Sequence, residues 1–273
     1  MPEKPEVITV SKALKRKILQ KEIKNVDVYW PNIIAMPSVE EFKNKLKGQK
    51  ILNINTRGKF LVFELSDYIL LIHLRMEGKF TFRYPSDERC KHEHVIFTFT
   101  DDVQMRYHDV RKFGKMYLTD KDRLYLDTPL KDLGYEFDDE KLTSSYLLDK
   151  FKSRNKFIKT VLLDQSIITG IGNIYDDEIL FLSGISPYHK AKDLAESDCL
   201  NIITNTRKVL DKAIEMGGTT IKSFTSEEGV HGLFQNELLV HGKKNGFCPK
   251  CGGHIVKEKV DGRGTYYCPN CQK

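Results

Sequence analysis

From residue 1 to about residue 130, apolar and polar residues alternate over short stretches, as in KILNINTRG, FLVFELSDYILLIHLRMEGKFTFRY, HVIFTFTDDVQMRYHD and GKMYLTD. A period near two, with turn residues at short spacing, predicts a β-sandwich or barrel. Two helices should flank it. One runs from Pro5 to about Leu19. The other is SVEEFKNKLKG, from Ser38 to Gly48, with Ser38 as N-cap and Glu41 three residues on to complete a capping box. From about Lys141 the period lengthens to that of a helix, in KLTSSYLLDKF, NKFIKTVLLDQ, GNIYDDEILFLSGI and DLAESDCLNIITNTRKVLDKAIEMGG, each ended by a turn residue or glycine. No internal repeat and no low-complexity linker interrupts the chain.

Composition narrows the class. With 273 residues, 40% of them hydrophobic and 30% charged, the chain has the balance of an ordinary globular protein with room for two modest domains or one with an appendage. The longest apolar run, YILLIHL, is far too short to span a bilayer, and the first twenty residues are charged throughout. The expectation is a cytoplasmic protein with no membrane partner. The net charge is +6, and from His241 onward seven basic residues face two acidic ones, so this tail holds +5 of it. A cationic appendage fits a polyanion partner, although a merely soluble basic tail has the same composition.

The tail also carries four of the six cysteines. CPKCGGHIVKEKVDGRGTYYCPNC reads C-x2-C, sixteen residues, C-x2-C: Cys248, Cys251, Cys268 and Cys271. Each pair sets two thiolates on a tight turn, so all four reach one tetrahedral zinc ion. Between them, strand-like Ile255-Val256 and Thr265-Tyr266-Tyr267 flank Asp261-Gly262, a strong hairpin turn. Four thiolates leave no open coordination position, so this single Zn2+ is structural. Cys90 and Cys199 stand alone and read as surface or core residues.

Other segments carry weaker signals. DQSIITGIGNIYDDEIL joins two helices through Gly170-Ile171-Gly172, which reads as a tight turn or as a phosphate clamp at a helix N-terminus. HLRMEGKF and HDVRKFGKM each set a wedge residue, Met76 or Phe113, beside basic side chains; both also read as core residues on strands. TRGKFLVFEL places Lys59 at the mouth of a strand. The opening MPEKPEVITV reads as a polar end, yet Pro2 would carry a free secondary amine beside the Glu3 carboxylate once Met1 is removed.

Taken in order, the Pro-Glu start, RGKFLVFEL, HLRMEGKF, HEHVIF, HDVRKFG, GIGNIYDDE, GGTTI, GLFQNELLVHGK and the cysteine ribbon resemble the formamidopyrimidine-DNA glycosylase / endonuclease VIII family over essentially the whole chain. The resemblance implies an α+β multidomain fold. An N-terminal antiparallel β-sandwich with flanking helices covers residues 1–133, a helical helix–two-turn–helix domain 134–240 and a zinc-finger hairpin 241–273. It also implies DNA base-excision repair by a bifunctional glycosylase/AP lyase, acting as a monomer on double-stranded DNA with a damaged base or abasic site. By resemblance Pro2 is the nucleophile at C1′ of the damaged nucleotide, Glu3 the general acid/base and Glu6 a supporting carboxylate. Lys59 assists base release or β-elimination, and Arg263 grips phosphate and assists δ-elimination. A terminal amine suits the first role: with a pKa near 8, roughly 10% is neutral at pH 7, against less than ~0.1% for lysine.

His73, Met76, His92, Arg111, Phe113, Arg154 and Asn173 fall on DNA-contacting positions; Met76, Arg111 and Phe113 would fill the hole left by the flipped nucleotide. The loop from Ser223 to Gly232 would cover the extruded base. DVRKFG and the arginine-bearing ribbon favour oxidised purines, formamidopyrimidine and 8-oxoguanine; the alternatives are an endonuclease VIII-like enzyme for oxidised pyrimidines and a non-catalytic damaged-DNA binder. Three residues depart from the family pattern: Lys4, usually apolar; Ile8, usually a carboxylate; and Asp176, usually small or apolar and expected here on a helix surface.

Overall fold

The computed structural model describes residues 1–219 and 232–273. The chain forms two compact units: one holds Met1–Lys131 with Thr219 and Gly232, the other Asp132–Gly218 and Leu233–Lys273.

The first unit begins with helix α1 (Lys4–Ile18), whose Val7, Val10, Leu14 and Ile18 form one buried stripe. Each such aliphatic side chain contributes about 1.5–3 kcal/mol on burial. Pro5 sits in the first turn, where the missing N–H costs nothing. Ser11 donates its hydroxyl to the Ile54 carbonyl, tying α1 to the sheet below. Helix α2 (Val39–Leu46) is capped by Ser38, whose side chain accepts the Glu41 N–H at 3.3 Å. The expected capping box is only half formed. Glu41 turns its carboxylate to Lys45 at 2.9 Å, a full turn on, instead of back to the cap.

Nine strands make the sandwich: β1 (Ile23–Val28), β2 (Ile34–Met36), β3 (Ile51–Arg57), β4 (Phe60–Leu65), β5 (Tyr68–His73), β6 (Lys79–Arg83), β7 (Glu93–Phe99), β8 (Gln104–His108) and β9 (Lys115–Asp120). One sheet has the order β1-β7-β8-β6 and the other β2-β9-β5-β4-β3. Every ladder is antiparallel except β2 with β9, which is parallel. Side chains from both sheets and both helices, among them Ile54, Phe63, Ile72, Phe97 and Met105, join in one core. A one-turn helix α3 (Leu124–Asp127) closes the unit.

The second unit is helical, with α4 (Ser144–Phe151), α5 (Ile158–Leu162), α6 (Asn173–Ser183) and α7 (Glu196–Glu215) around a separate core that includes Leu147, Ile158, Ile179 and Ile202. Strands β10 (Val256–Val260) and β11 (Arg263–Tyr267) form the antiparallel ribbon. Its two-residue turn has positive φ at both Asp261 (46°) and Gly262 (79°), the type I′ geometry expected of Asp-Gly. Among the described residues no helix is long and apolar enough to cross a membrane.

Candidate active site

The N-terminus of the first unit is not a frayed end. Pro2 is buried, and Glu3 and Glu6 are 3% and 2% exposed. Glu6 accepts the Glu3 N–H at 2.8 Å with one oxygen; with the other it accepts the N–H and hydroxyl of Thr219 at 2.8 and 3.2 Å. One carboxylate therefore ties the start of α1 to the residue that precedes the 220–231 segment. Lys59, buried at the mouth of β4, lies within electrostatic range of the terminal amine, as do Glu3, Glu6 and Glu77. That amine belongs to Met1; burial pushes it below its ordinary value of 8, the three carboxylates oppose the shift and Lys59 adds to it.

Lys4, one of the departures, is also buried, with Nζ donating to Thr56 Oγ1 at 3.1 Å on β3. Ile8 is half-buried. At the end of β5, His73 accepts the Arg75 N–H at its Nδ1, 3.0 Å away, with its ring edge-on to Phe60 at 4.7 Å. Burial, then Arg75 and Lys59, push its pKa down to about 3, so the imidazole is neutral at physiological pH.

The two wedge motifs have a common cause. Tyr107 on β8 is fully buried, and its ring end lies against two glycines, Gly78 of HLRMEGKF and Gly114 of HDVRKFGKM. A Cβ at Gly78 would sit 2.2 Å from the Tyr107 hydroxyl oxygen and at Gly114 only 1.8 Å, so both motifs need glycine at this position for both loops to close over one ring. Asp109, 0% exposed, shapes the second loop by accepting the N–H of Arg111 at 3.0 Å and of Gly114 at 2.8 Å. What these loops present is exposed: Met76 at 37%, Phe113 at 49%, and Arg111 with its guanidinium 4.8 Å from the Phe113 ring centroid. The reading of Met76 and Phe113 as core residues does not hold.

His92 is linked to the same loop through its carbonyl, which accepts the Asp109 N–H at 3.0 Å. Under the neighbouring turn lies Arg106, 2% exposed, paired with Glu93 at 3.1 Å and donating to the carbonyls of Tyr84 and Asp87 at 2.8 and 2.9 Å.

In the second unit, α5 and α6 enclose the Gly170-Ile171-Gly172 turn, and Asn173 opens α6. Asn173 Nδ2 donates to the Gly264 carbonyl of the ribbon at 2.9 Å, while its Oδ1 is buried without a partner. Arg154 is half-exposed, with its guanidinium on Asp164 at 2.9 Å. Asp176 is not on the surface as expected: it is 0% exposed and 3.1 Å from Lys159 Nζ, itself fully buried and 2.6 Å from Asp177. Asp177 also holds His241 Nδ1 at 2.7 Å, and Glu178 accepts the N–H groups of Leu239, Val240 and His241 at 2.7, 3.0 and 2.8 Å. The acidic run of α6 thus binds the segment leading to the ribbon.

Sequence reasoning missed Lys159, Asp177, Glu178 and His241. Their signal was a lysine inside the apolar run FIKTVLL and three acids inside an otherwise apolar helix.

The four cysteine sulfurs lie within 4.8 Å of one another, with Cys248–Cys271 at 3.8 Å and Cys251–Cys268 at 3.6 Å. Tetrahedral zinc with Zn–S of about 2.3 Å requires S···S near 3.8 Å, so the donor set fits one structural zinc with no open position. Cys248 and Cys268 also pack with Phe181, Val240 and Ile255 in a small core beneath the ribbon. Arg263 stands exposed beside the ribbon turn. Of the loop expected over an extruded base, residues 223–231 lie outside the described residues.

Three family models match the chain: the formamidopyrimidine-DNA glycosylase N-terminal domain over residues 1–116, the formamidopyrimidine-DNA glycosylase H2TH domain over 133–225, and the zinc finger found in FPG and IleRS over 246–273. Relatives named formamidopyrimidine-DNA glycosylase from Shouchella clausii (strain KSM-K16) and Bacillus subtilis (strain 168) are 46% and 45% identical, each over 100% of this chain and 99% of the relative. Among solved structures, a Lactococcus lactis Fpg in complex with DNA containing N7-benzyl-Fapy-dG superposes with a TM-score of 0.93, at 38% identity and with both chains fully covered. A complex of the same enzyme with DNA containing an abasic site gives 0.92 at 38% identity, covering 99% of each chain. Since these matches run from the buried N-terminal Pro-Glu through the two-turn helix pair to the cysteine ribbon, the chain belongs to the formamidopyrimidine-DNA glycosylase family.

Proposed function

We propose that this protein is a DNA base-excision repair enzyme, a bifunctional glycosylase/AP lyase that removes oxidised purines from duplex DNA. The observation that carries the reading is the buried start of the chain: Pro2 and Glu3 leave solvent together with Glu6 and Lys59, and the Met1 amine beside them is held below its ordinary pKa. With Met1 removed, the Pro2 nitrogen becomes the terminal secondary amine of this buried start. Its lone pair forms a bond to C1′ as the glycosidic bond breaks, and the proton that the nitrogen sheds passes to the departing base. Glu3 then delivers a proton to the ring oxygen, the C1′–O4′ bond opens, and a cationic iminium on Pro2 results. Loss of a C2′ proton expels the 3′ phosphate (β-elimination), and loss of a C4′ proton expels the 5′ phosphate (δ-elimination). Lys59 assists the first elimination and Arg263 the second; a guanidinium fork suits a departing phosphate.

Met76, Arg111 and Phe113 fill the space left by the flipped nucleotide, with Arg111 on the estranged base; their exposure on loops braced by Tyr107 and Asp109 supports this role. His73, His92, Arg154 and Asn173 contact the DNA. Residues 1–133, 134–240 and 241–273 act as catalytic, helix–two-turn–helix and zinc-hairpin segments of a cytoplasmic monomer.

The test is borohydride trapping on duplexes that carry single lesions. A covalent adduct on abasic and 8-oxoguanine duplexes, lost in Pro2→Gly, is expected. No adduct from a protein whose intact mass lacks Met1 would make it a non-catalytic damaged-DNA binder. Excision of thymine glycol but not of 8-oxoguanine opposite cytosine would move it to oxidised pyrimidines.

A further inference from the structure

The ribbon raises a positioning problem. Arg263 is the first residue of β11 and Cys268 follows five residues later, so the arginine stands about 17 Å from the metal end at ~3.4 Å per residue. A two-stranded ribbon anchored only at that end is a lever, and a 10° rock would move its tip by about 3 Å. Bidentate phosphate recognition tolerates only about 0.5 Å. Zinc alone therefore cannot hold the guanidinium in register.

The structure places a hydrogen bond on each side of Arg263. Two residues before it, Asp261 Oδ2 accepts the hydroxyl of Thr160 at 2.7 Å. One residue after it, the Gly264 carbonyl accepts from Asn173 Nδ2 at 2.9 Å. Thr160 is on α5 and Asn173 opens α6, so the tip is tied to both helices that flank the glycine turn. Both donors hang on one buried cluster. Lys159, next to Thr160, pairs with Asp176 and Asp177 and reaches the Asn173 carbonyl at 3.4 Å. Within the ribbon, the Arg263 carbonyl accepts the Thr265 hydroxyl at 2.9 Å.

We infer that Thr160 and Asp261 are positioning residues for Arg263, forming with Asn173 and Gly264 a two-sided clamp that governs δ-elimination and leaves base removal untouched. The inference rests on the proposed role of Arg263 at the departing phosphate. Expulsion of the 5′ phosphate breaks the C5′–O5′ bond after a C4′ proton is lost, and its developing charge needs the guanidinium in place. Attack by Pro2 at C1′ does not.

The experiment uses the full-length zinc protein on a duplex with one 8-oxoguanine and resolves two products on a denaturing gel: the 3′ unsaturated aldehyde of β-elimination and the 3′ phosphate left by δ-elimination. Thr160→Val removes the donor. Asp261→Gly removes the acceptor while keeping a residue that tolerates positive φ. Each should lower the phosphate-to-aldehyde ratio about five-fold, the factor of one hydrogen bond of ordinary strength, with base release and borohydride trapping within two-fold of wild type. Thr160→Ser and Asp261→Asn, which keep donor and acceptor, should restore the ratio at unchanged zinc content. An unchanged ratio in both disruptive variants, or base release falling in step with it, overturns the clamp. Arg263→Ala is the separate control. If it leaves the ratio unchanged, the role of Arg263 is wrong. If it abolishes the phosphate product while Thr160→Val and Asp261→Gly do not shift it, that role stands and the clamp fails.

Discussion

Lys159→Met should be the most damaging single substitution in the helical unit outside its apolar core. Lys159, Asp176 and Asp177 are all 0% exposed, with Nζ 3.1 and 2.6 Å from the two carboxylates. Burial opposes the ammonium charge, but Asp176 and Asp177 outweigh it and hold the group above its ordinary value of 10.5. Methionine nearly matches the volume while taking the ammonium from two buried carboxylates, with His241 Nδ1 still on Asp177. Breaking a buried pair in this way costs about 3–5 kcal/mol. At roughly 2–4 °C per kcal/mol, the melting temperature of the unit should fall by about 6–20 °C.

The charge count fixes the order of the other variants. Asp176→Ala removes one of two anions and leaves Lys159 matched one-to-one with Asp177, so it should cost no more than ~2 kcal/mol. Lys159→Met combined with Asp176→Asn and Asp177→Asn should recover much of the loss, because no buried charge remains without a partner. Thermal melts by circular dichroism, with hydrogen exchange of the α6 amides as the local readout, measure all three. Since the folded value lies above the unfolded one, the Lys159 contribution is complete below about pH 10.5 and is lost as pH rises through the folded value. Asp176→Ala proving costlier than Lys159→Met, or Lys159→Met lying within 1 kcal/mol of wild type, would refute the reasoning.

Gly114→Ala forces a Cβ to within 1.8 Å of the Tyr107 hydroxyl oxygen and should cost about 1–3 kcal/mol in a urea titration, with weakened preference for lesion duplex over undamaged duplex; a wild-type midpoint would show that the loop yields freely. His73, whose folded pKa is pushed down to about 3, refuses a proton that the unfolded chain accepts below about 6.5. Its contribution is present above that pH and is lost as pH falls towards 3, with a slope of up to about 1.4 kcal/mol per pH unit, so the drop in urea midpoint between pH 7 and 5 should shrink in His73→Gln. Metal analysis should find one zinc per chain, and chelation should abolish duplex binding along with the ribbon's amide protection. A chelated protein that keeps both would show that the ribbon folds without metal.

The parts of this protein that local spacing controls were readable along the chain. Two C-x2-C pairs bring four sulfurs together because each tight turn delivers its own two thiolates. Asp261-Gly262 makes a type I′ turn because those two residues tolerate positive φ. The apolar stripe of α1 and the alternation of the strands follow from fixed helical and strand periods. The Pro-Glu start was legible only as part of an ordered set of motifs, since by itself it has the composition of any polar end.

Tertiary structure decided which charged residues leave water. Asp176 reads as a surface residue in sequence, yet it is buried because Lys159, seventeen positions earlier, neutralises it there. Tyr107 explains why two loops about 35 residues apart both need a glycine, and no pattern within either loop contains that ring. Glu6, Asp177 and Thr160 each have a partner more than 60 residues away, in Thr219, His241 and Asp261 respectively. Periodicity and spacing decide which face of an element is apolar. Which polar groups on that face find a partner depends on residues that only the fold brings near, because a buried charge is stable only where its counter-charge arrives from elsewhere in the chain.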